Sequence, residues 1–278
     1  MYKLVAMDMD GTLLNSDKRI SEENEKTLNY IKGLGIKISF CTGRLFSSAR
    51  GYAKHLGGGI YIISCNGAYI TDEEYNEIAA HPMDFKESEV IIDICRKYDA
   101  YFHFFDRERI YSEKESYGRS VYLKGTDQLA DEDKTEFVVR SDLKETLRSG
   151  VDVFKYIIMD DDPDKIKRIR RELEPLDLEV SSSLSNNIEI TAAGINKGSG
   201  LIQLLKFLGI GSDEVIAMGD SENDISMLKT AGLGVAMGNG RNDVKTISDY
   251  VTAIEDDDGV AQALRHFLVE GSYGDSRR

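Results

Sequence analysis

The sequence predicts an α/β fold in which a parallel sheet, covered by helices, is interrupted by an inserted α+β segment. Apolar runs that suit buried strands alternate with helical patterns in the first and last parts of the chain, as in strand–helix–strand units. Between about Pro82 and Asn187 this rhythm is lost. We therefore expect a core formed by residues 1–82 and 188–278, with residues 83–187 inserted into it as a separate domain.

The first part of the chain supplies three strands of the predicted parallel sheet and their helices. Ser21 is a favourable N-cap for the first helix, and Gly35 suits the position just after its end. Asn66 and Gly67 predict a tight hairpin turn into a further strand, Ala68–Thr71. The predicted elements are strand Lys3–Met7, helix Ser21–Leu34, strand Ile36–Cys41, helix Leu45–Leu56 and strand Ile60–Ser64.

The middle segment mixes strands and helices, and the βαβ rhythm then resumes. Its predicted elements are helix Ser88–Tyr98, strands Tyr101–Phe105, Glu136–Arg140 and Val153–Met159, a helix from Pro163 to about Glu174, and strands Leu178–Ser183 and Ile188–Thr191. They are followed by helix Lys197–Leu208, strand Val215–Met218, helix Asp224–Thr230, strand Gly232–Val235, helix Asn242–Ser248 and a last helix from Gly259 to Phe267, after which Gly271–Arg278 should fray.

Composition narrows the class of protein. Hydrophobic residues make up 41% of the 278, enough for a substantial core. The formal net charge is −14, whereas proteins that bind nucleic acids or anionic membranes need positive charge from Lys and Arg. We therefore exclude nucleic acids and anionic membranes as main partners. The three cysteines have no disulfide or zinc-site spacing, and we find no signal peptide or apolar run near the ~20 residues of a membrane span. These features predict a cytoplasmic location.

Two carboxylates follow the first predicted strand. Asp8 and Asp10 lie just after the apolar run Leu4–Met7, and Gly11 then allows a sharp turn. Alternate residues of a strand point to one side, so both carboxylates can reach one small volume at the carboxyl end of the strand, where open α/β sheets bind ligands. Such a pair can bind a hard cation while one carboxylate attacks phosphorus. A solvated turn rich in Asp and Gly is the alternative.

Three later segments also place residues that suit phosphate or Mg²⁺ binding at strand ends or helix starts. Thr42–Arg44 follows the second strand, Lys197 opens a helix, and Gly219–Asp224 follows the strand that ends at Met218. In this order and spacing the four motifs resemble those of the haloacid dehalogenase (HAD) superfamily of aspartate-nucleophile phosphatases, above all its Cof-type sugar-phosphatase branch. The resemblance covers nearly the whole chain. It implies a Rossmann-like three-layer core and an inserted α+β cap that sets substrate specificity.

The resemblance also implies the catalytic and metal-binding roles. Asp8 would be the nucleophile that forms an aspartyl-phosphate, and Asp10 would protonate the leaving oxygen and then activate water. The metal ligands would be the carboxylates of Asp8 and Asp220 and the backbone carbonyl of Asp10, with Asp224 orienting a ligand or a metal-bound water. Such oxygen ligands suit Mg²⁺, although they suit Mn²⁺ as well.

The remaining motif residues are expected to bind the phosphoryl group. Thr42 offers a hydroxyl and Gly43 an accessible N–H just before a helix, which together form an anion site. Lys197 would neutralise charge on the phosphoryl group and on Asp8, and Asn223 would donate a hydrogen bond. Arg44 either pairs with an acid or reaches the substrate.

Structural alternatives remain for these residues. Asp10 could stabilise a turn, Thr42 could be a simple helix N-cap, and Asp224 could simply begin the next helix. Lys197 could be solvated, although a cation at a helix start interacts unfavourably with the helix dipole, at a cost of ~0.3–1 kcal/mol. The alternatives for two further residues concern substrate contact: Asn66 is either a pure turn residue or a substrate contact, and His103 of the aromatic strand Tyr101–Phe105 is either packed in the core or a substrate contact.

The resulting functional prediction is a Mg²⁺-dependent phosphatase. It would hydrolyse a small phosphorylated metabolite, such as a sugar phosphate, through an aspartyl-phosphate, acting as a monomer or homodimer. A sugar phosphomutase and a non-catalytic protein that binds phosphorylated metabolites are the alternatives. The sequence does not name the substrate.

Overall fold

The computed structural model describes residues 1–115 and 129–270, which form two sheets with helices. The predicted frayed segment Gly271–Arg278 lies outside these residues. In chain order the strands are β1 (Leu4–Met7), β2 (Lys37–Cys41), β3 (Tyr61–Ser64), β4 (Tyr69–Thr71), β5 (Glu77–Ala80), β6 (Tyr101–Phe105), β7 (Arg109–Ser112), β8 (Glu136–Val139), β9 (Lys155–Met159), β10 (Leu178–Ser181), β11 (Asn187–Ala192), β12 (Val215–Gly219), β13 (Leu233–Ala236) and β14 (Tyr250–Val251). The described α-helices are α1 (Glu22–Gly33), α2 (Phe46–His55), α3 (Phe85–Lys97), α4 (Leu143–Arg148), α5 (Pro163–Leu173), α6 (Lys197–Leu208), α7 (Ile225–Thr230), α8 (Asn242–Ile247) and α9 (Gly259–Leu264).

The first sheet has the strand order β14-β13-β12-β1-β2-β3-β4-β5. Its strands are parallel from β14 to β3, and β4 and β5 add an antiparallel edge. Alternation along β1 sends Val5 and Met7 into a cluster with α1, α2 and α9, whereas Leu4 and Ala6 pack with α6, α7 and α8. The sheet is therefore the middle of three layers, and the predicted α/β class is confirmed.

The residues predicted to begin and end the first helix do so in the structure. The Ser21 side chain accepts a hydrogen bond from the Asn24 backbone N–H, and Gly35 takes a φ of +81° just after the helix ends. The predicted hairpin between β3 and β4 also forms. Its connection, however, is the four-residue loop Cys65–Ala68 rather than a two-residue turn, because pairing stops at Ser64 and Tyr69.

The second sheet has the order β10-β11-β9-β6-β7-β8 and is antiparallel except for the β7–β8 pair. It contains β11, which pairs with both β9 and β10. The division predicted between residues 187 and 188 therefore cuts through a strand of this sheet. We place the end of the inserted segment after Ala192 instead.

The aromatic strand β6 separates two apolar clusters. Phe102 and Phe104 pack with residues of α3 and α5, whereas Phe105 joins the cluster that includes the first sheet. His103 has no exposed surface and lies 5.3 Å, ring centre to ring centre, from Phe105. Burial lowers the pKa of His103 to about 3, so its imidazole is neutral near pH 7. This supports the core-packing alternative for His103.

In the part of the chain that the structure describes, no helix combines the length and the apolar composition that crossing a membrane would need.

Candidate active site

Asp8 lies at the carboxyl end of β1, in the middle of the first sheet. Its backbone N–H donates to the carbonyl of Met218, which continues the pairing between β1 and β12 by one residue. Its side chain is 7% exposed, and Oδ1 lies 2.6 Å from the Lys197 ammonium. The sheet thus presents one buried carboxylate, already paired with a cation, at its carboxyl edge.

Lys197 is the first residue of α6 and has no exposed surface. The helix start is fixed by Asn196, whose side chain accepts from the Ser199 N–H while the Ser199 hydroxyl accepts from the Asn196 N–H. The Lys197 Nζ donates to Asp8 Oδ1 and Asp224 Oδ1, both at 2.6 Å. Burial alone would lower the pKa of Lys197, but the two carboxylates outweigh it and raise the pKa. The solvated alternative for Lys197 is therefore wrong.

Asp224 is fully buried and has hydrogen-bond partners on both carboxylate oxygens. Oδ2 accepts from the backbone N–H groups of Asp220 and Ser221, each at 2.9 Å, and Oδ1 accepts from Lys197. Gly219 is required beside it, because a Cβ there would lie 2.5 Å from Asp224 Cγ. Asp224 therefore fixes both the loop that carries Asp220 and the position of the Lys197 ammonium.

The ligand oxygens of Asp8, Asp220 and Asp224 lie within 4.8 Å of one another. Burial raises the pKa of Asp8 well above its usual range, against the opposing effect of Lys197, and the neighbouring aspartates add to the rise. Burial and Asp224 raise the pKa of Asp220 to about 7. Three carboxylates around one ammonium leave excess negative charge, so a hard divalent cation fits this oxygen set. We expect Asp8 and Asp220 to bind it, because Asp224 accepts from two backbone N–H groups and from Lys197, whereas, among the described residues, Asp220 accepts only from the hydroxyl groups of Thr12 and Ser221.

The side chain of Asp10 is arranged differently from the other predicted site residues. Arg44 donates to it in a two-pronged contact, with Nε 2.6 Å from Oδ2 and Nη2 2.8 Å from Oδ1, and Lys18 Nζ lies 2.8 Å from Oδ1. Burial alone would raise the pKa of Asp10, but Arg44 and then Lys18 lower it far below the usual range. In this arrangement Asp10 is an ionised carboxylate and has no proton to donate. Of the two alternatives for Arg44, pairing with an acid is the one observed.

Thr42 and Gly43 follow β2, next to the loop after β1. Thr42 is buried, and its Oγ1 accepts from the Arg44 backbone N–H at 3.1 Å, so its own hydroxyl proton is free to point elsewhere. A Cβ at Gly43 would lie 2.6 Å from Lys155 Nζ and 3.0 Å from Asn66 Oδ1, so a larger residue would displace the ends of these two side chains. The residue crowding Gly43 most closely thus comes from the second sheet.

Asn66 and Asn223 are buried beside Gly43 and share one carboxylate. Asn66 Nδ2 donates to Glu189 Oε2 at 2.5 Å, and Asn223 Nδ2 lies 3.3 Å from both Glu189 Oε2 and Asn66 Oδ1. Lys155 Nζ lies 2.9 Å from the same Glu189 oxygen. Asn66 is therefore more than a turn residue, because its side chain joins two strand-end loops to the second sheet.

Sequence reasoning missed Lys18, Lys155 and Glu189. From the sequence, Lys155 and Glu189 are predicted only as members of two strands, without a role in the site. A single charge within each otherwise apolar run was the available signal, because a charge on the buried face of a sheet requires a partner. No sequence pattern around Lys18 predicts that it pairs with Asp10.

The sequence model of the haloacid dehalogenase-like hydrolases matches residues 5–264 of this chain. The chain belongs to this family. Among curated members, a Bacillus subtilis (strain 168) phosphatase named for 5-amino-6-(5-phospho-D-ribitylamino)uracil is 34% identical over 269 residues, covering 96% of both chains. A pyridoxal phosphate phosphatase of Escherichia coli (strain K12) is 27% identical over 271 residues, covering 96% of this chain and 99% of the relative.

Solved structures of haloacid dehalogenase-like hydrolases have the same fold. One from B. subtilis is 32% identical with a TM-score of 0.88, covering 96% of this chain and 100% of its own. A sugar phosphatase of HAD subclass IIB is 26% identical with a TM-score of 0.79, covering 95% of this chain and 98% of its own. The predicted resemblance and enzyme class are confirmed: this is a hydrolase of the HAD phosphatase type.

Proposed function

We propose that this haloacid dehalogenase-like hydrolase is a Mg²⁺-dependent phosphatase that hydrolyses phosphomonoesters of small metabolites through an aspartyl-phosphate on Asp8. The observation that carries the proposal is the buried cluster in which Lys197 joins Asp8 to Asp224, with Asp220 alongside. It combines a nucleophile, a fixed cation and a carboxylate pair for a metal at the carboxyl edge of a parallel sheet.

Asp8 is the nucleophile in this proposal. Its carboxylate oxygen forms a bond to phosphorus as the phosphorus–oxygen bond of the ester breaks, and water then attacks phosphorus to release inorganic phosphate and restore the carboxylate. Lys197 stabilises the ionised carboxylate and offsets phosphoryl charge. The carboxylates of Asp8 and Asp220 and the carbonyl of Asp10 would hold Mg²⁺, which would supply further positive charge and favour the ionised form of both carboxylates.

Asp10 transfers the protons. It protonates the leaving oxygen in the first step and accepts a proton from the attacking water in the second. Because Arg44 and Lys18 keep it ionised in the observed arrangement, Asp10 must take up a proton and move away from these two cations before it acts as the acid. Its role therefore requires a local rearrangement when substrate binds.

The phosphoryl oxygens are bound by Thr42, Gly43 and Asn223. Asn223 Nδ2 lies 3.3 Å from both Asn66 Oδ1 and Glu189 Oε2, so it must give up one of these two contacts to donate to phosphate. The Thr42 hydroxyl oxygen accepts from the Arg44 N–H, and its own proton can donate to a phosphoryl oxygen. The phosphorylated metabolites in the names of the relatives support a small phosphate ester as substrate. A monomeric or homodimeric enzyme in the cytoplasm remains our expectation.

Phosphate release from a panel of phosphorylated metabolites tests the proposal. The panel includes sugar phosphates, ribityl phosphates and pyridoxal phosphate, assayed with Mg²⁺ or EDTA for the wild type and for Asp8→Asn. We expect release by the wild type with Mg²⁺ alone. Isomerised sugar phosphate without free phosphate would instead favour a phosphomutase, and binding without any reaction would favour a non-catalytic protein.

A further inference from the structure

The second sheet inserts a buried ion pair among the loops of the candidate active site. Lys155 of β9 and Glu189 of β11 are 1% and 3% exposed, and Lys155 Nζ lies 2.9 Å from Glu189 Oε2. The other carboxylate oxygen, Oε1, accepts from the Ser183 hydroxyl at 2.6 Å, which fixes the carboxylate from within its own sheet region. Two charges removed from water are costly, so such a pair is weak evidence for stability by itself. Its contacts indicate another role.

The pair contacts three loops that follow strands of the first sheet. Lys155 Nζ donates to the Gly43 carbonyl, after β2, at 2.8 Å. Glu189 Oε2 accepts from Asn66, after β3, at 2.5 Å and lies 3.3 Å from Asn223 Nδ2, after β12. Gly43 and Asn223 are residues to which we assign phosphoryl binding. The second sheet therefore contacts the residues that we expect to bind phosphate. This is separate from any contact that it makes with the rest of a substrate.

The Lys155 contact also extends to Thr42 through a single peptide group. The Gly43 carbonyl and the Arg44 N–H belong to the same planar peptide. With the carbonyl held by Lys155 and the N–H donating to Thr42 Oγ1, the orientation of this peptide is fixed at both ends. A fixed peptide leaves the Thr42 hydroxyl proton as the donor for a phosphoryl oxygen.

We propose that Lys155 and Glu189 are positioning residues that complete the phosphate-binding site, so that this site has its full affinity only when the second sheet is seated on the three loops. The proposal rests on the proposed function for the roles of Gly43, Thr42 and Asn223. Neither residue of the pair needs to touch the reacting atoms.

The test measures the affinity for inorganic phosphate by calorimetry in the presence of Mg²⁺, together with thermal stability, kcat and KM. The variants are Glu189→Gln, Lys155→Met and the double variant. The matched control is Asp133→Asn, because Asp133 is another buried carboxylate, 1% exposed, that the inserted segment pairs with Arg50 of α2, away from the phosphate-binding residues. The double variant matters because two neutral side chains leave no unpaired buried charge.

We expect both single variants to weaken phosphate binding by about tenfold or more, with KM rising, and to lower the melting temperature. The double variant should regain much of the melting temperature while phosphate binding stays weak, and Asp133→Asn should bind phosphate as the wild type does. Recovery of phosphate affinity along with stability in the double variant, or an equal loss in Asp133→Asn, would overturn the positioning role.

Binding and turnover separate this proposal from the proposed function. A wild type that binds inorganic phosphate but hydrolyses no ester would contradict the proposed function, and the variants' binding data would still decide the role of the pair. A wild type that does not bind inorganic phosphate would contradict the positioning role.

Discussion

At the residue scale, the site is a set of buried charged side chains, each of which depends on its neighbours for a partner. Asp8, Asp220 and Asp224 lie close together, and Lys197, which has no exposed surface, donates to two of them. An ammonium bonded to two carboxylates in a dry site is held far more firmly than one on the surface. Lys197 therefore stabilises the fold and, in the function we propose, supports Asp8 as the nucleophile.

Lys197→Met should reduce both activity and stability. Removing the cation leaves two buried carboxylates without their partner, which should cost about 3–5 kcal/mol of unfolding free energy. Loss of a fixed charge at the phosphoryl site should lower kcat by at least about 100-fold. Urea unfolding and phosphate release measure the two effects. Lys206→Met, at an exposed position of the same helix, is the control and should change neither. Retained activity in Lys197→Met would contradict the assignment.

A glycine beside the site supports a second prediction at this scale. Gly67 has a φ of +103°, and a Cβ there would lie 2.2 Å from the carbonyl oxygen of Asn196, the residue that caps α6. Gly57 has a similar φ of +81° but no atom within 4 Å of a Cβ. Gly57→Ala should cost only the backbone strain, about 1–2 kcal/mol. Gly67→Ala should cost about 1–3 kcal/mol more and displace the start of α6. Equal urea midpoints for the two variants would show that the close approach is unimportant.

At the scale of the elements, strand ends of the first sheet and one face of the second sheet meet at the site. Register places Glu189 beside Ile157, two residues from Lys155, so both charges project from neighbouring strands toward the same loops. Burial alone would raise the pKa of Glu189, but Lys155 and the hydrogen bonds from Ser183 and Asn66 lower it to about 2. The strands β9 and β11 thus carry a carboxylate that stays ionised in the folded protein.

This lowered pKa predicts a pH dependence of stability. Because the pKa of Glu189 is lower in the folded protein than its usual 4.5, its contribution is complete above about pH 6 and falls as the pH approaches 2. About 2 kcal/mol of unfolding free energy should disappear from this group between pH 7 and pH 3. A glutamine side chain does not titrate, so the unfolding free energy of the Glu189→Gln variant should not fall in this way. The difference in unfolding free energy between the wild type and this variant should therefore become smaller as the pH is lowered. Parallel urea-midpoint curves for the two proteins would contradict the ionised carboxylate.

The motifs and most of the elements could be predicted from the sequence because their signals are local, although β5, β7, β14 and α4 are missing from the predicted set. Apolar runs, the cap at Ser21 and the acidic strand ends lie within a few residues of the elements that they determine. The Lys155–Glu189 pair could not, because it depends on the register of β9 and β11 and on how their sheet packs against distant loops. The sheet to which β11 belongs is likewise set by pairing partners, which the strand's own residues do not specify.

At the scale of the whole molecule, the inserted segment is held to the core by apolar contacts and ion pairs. Phe105 and Phe154 join the cluster that contains Tyr69 of the first sheet, and Arg170 of α5 pairs with Glu222 at 2.6 Å. The chain crosses between the two sheets after β5 and again after β11. Although the net charge is −14, Lys18, Arg44, Lys155 and Lys197 are all concentrated at the site. These cations are paired with the carboxylates of Asp8, Asp10, Asp224 and Glu189, and Asp220 adds a further carboxylate, so a bound divalent cation would have to supply the positive charge that an anionic ester requires.

The division into two domains leads to a prediction at this scale. Replacing residues 83–192 by a short linker should leave a core that folds, because the first sheet keeps its helices on both faces. The truncated protein should be less stable, since apolar residues that contact Phe105 and Phe154 become exposed, and it should bind inorganic phosphate weakly. Circular dichroism and cooperative urea unfolding measure the outcome. A truncated protein without cooperative unfolding would count against an independent core.

The central claim is that Asp8 carries the phosphoryl group during turnover. Rapid acid quenching with an ester labelled at phosphorus tests it most directly, for the wild type and for Asp8→Asn. We predict label on the wild-type protein that hydroxylamine releases, as expected for an acyl phosphate, and none on Asp8→Asn, which should remain folded because the substitution is nearly isosteric. Turnover without protein-bound label at any quench time, or label on Asp8→Asn, would contradict the account.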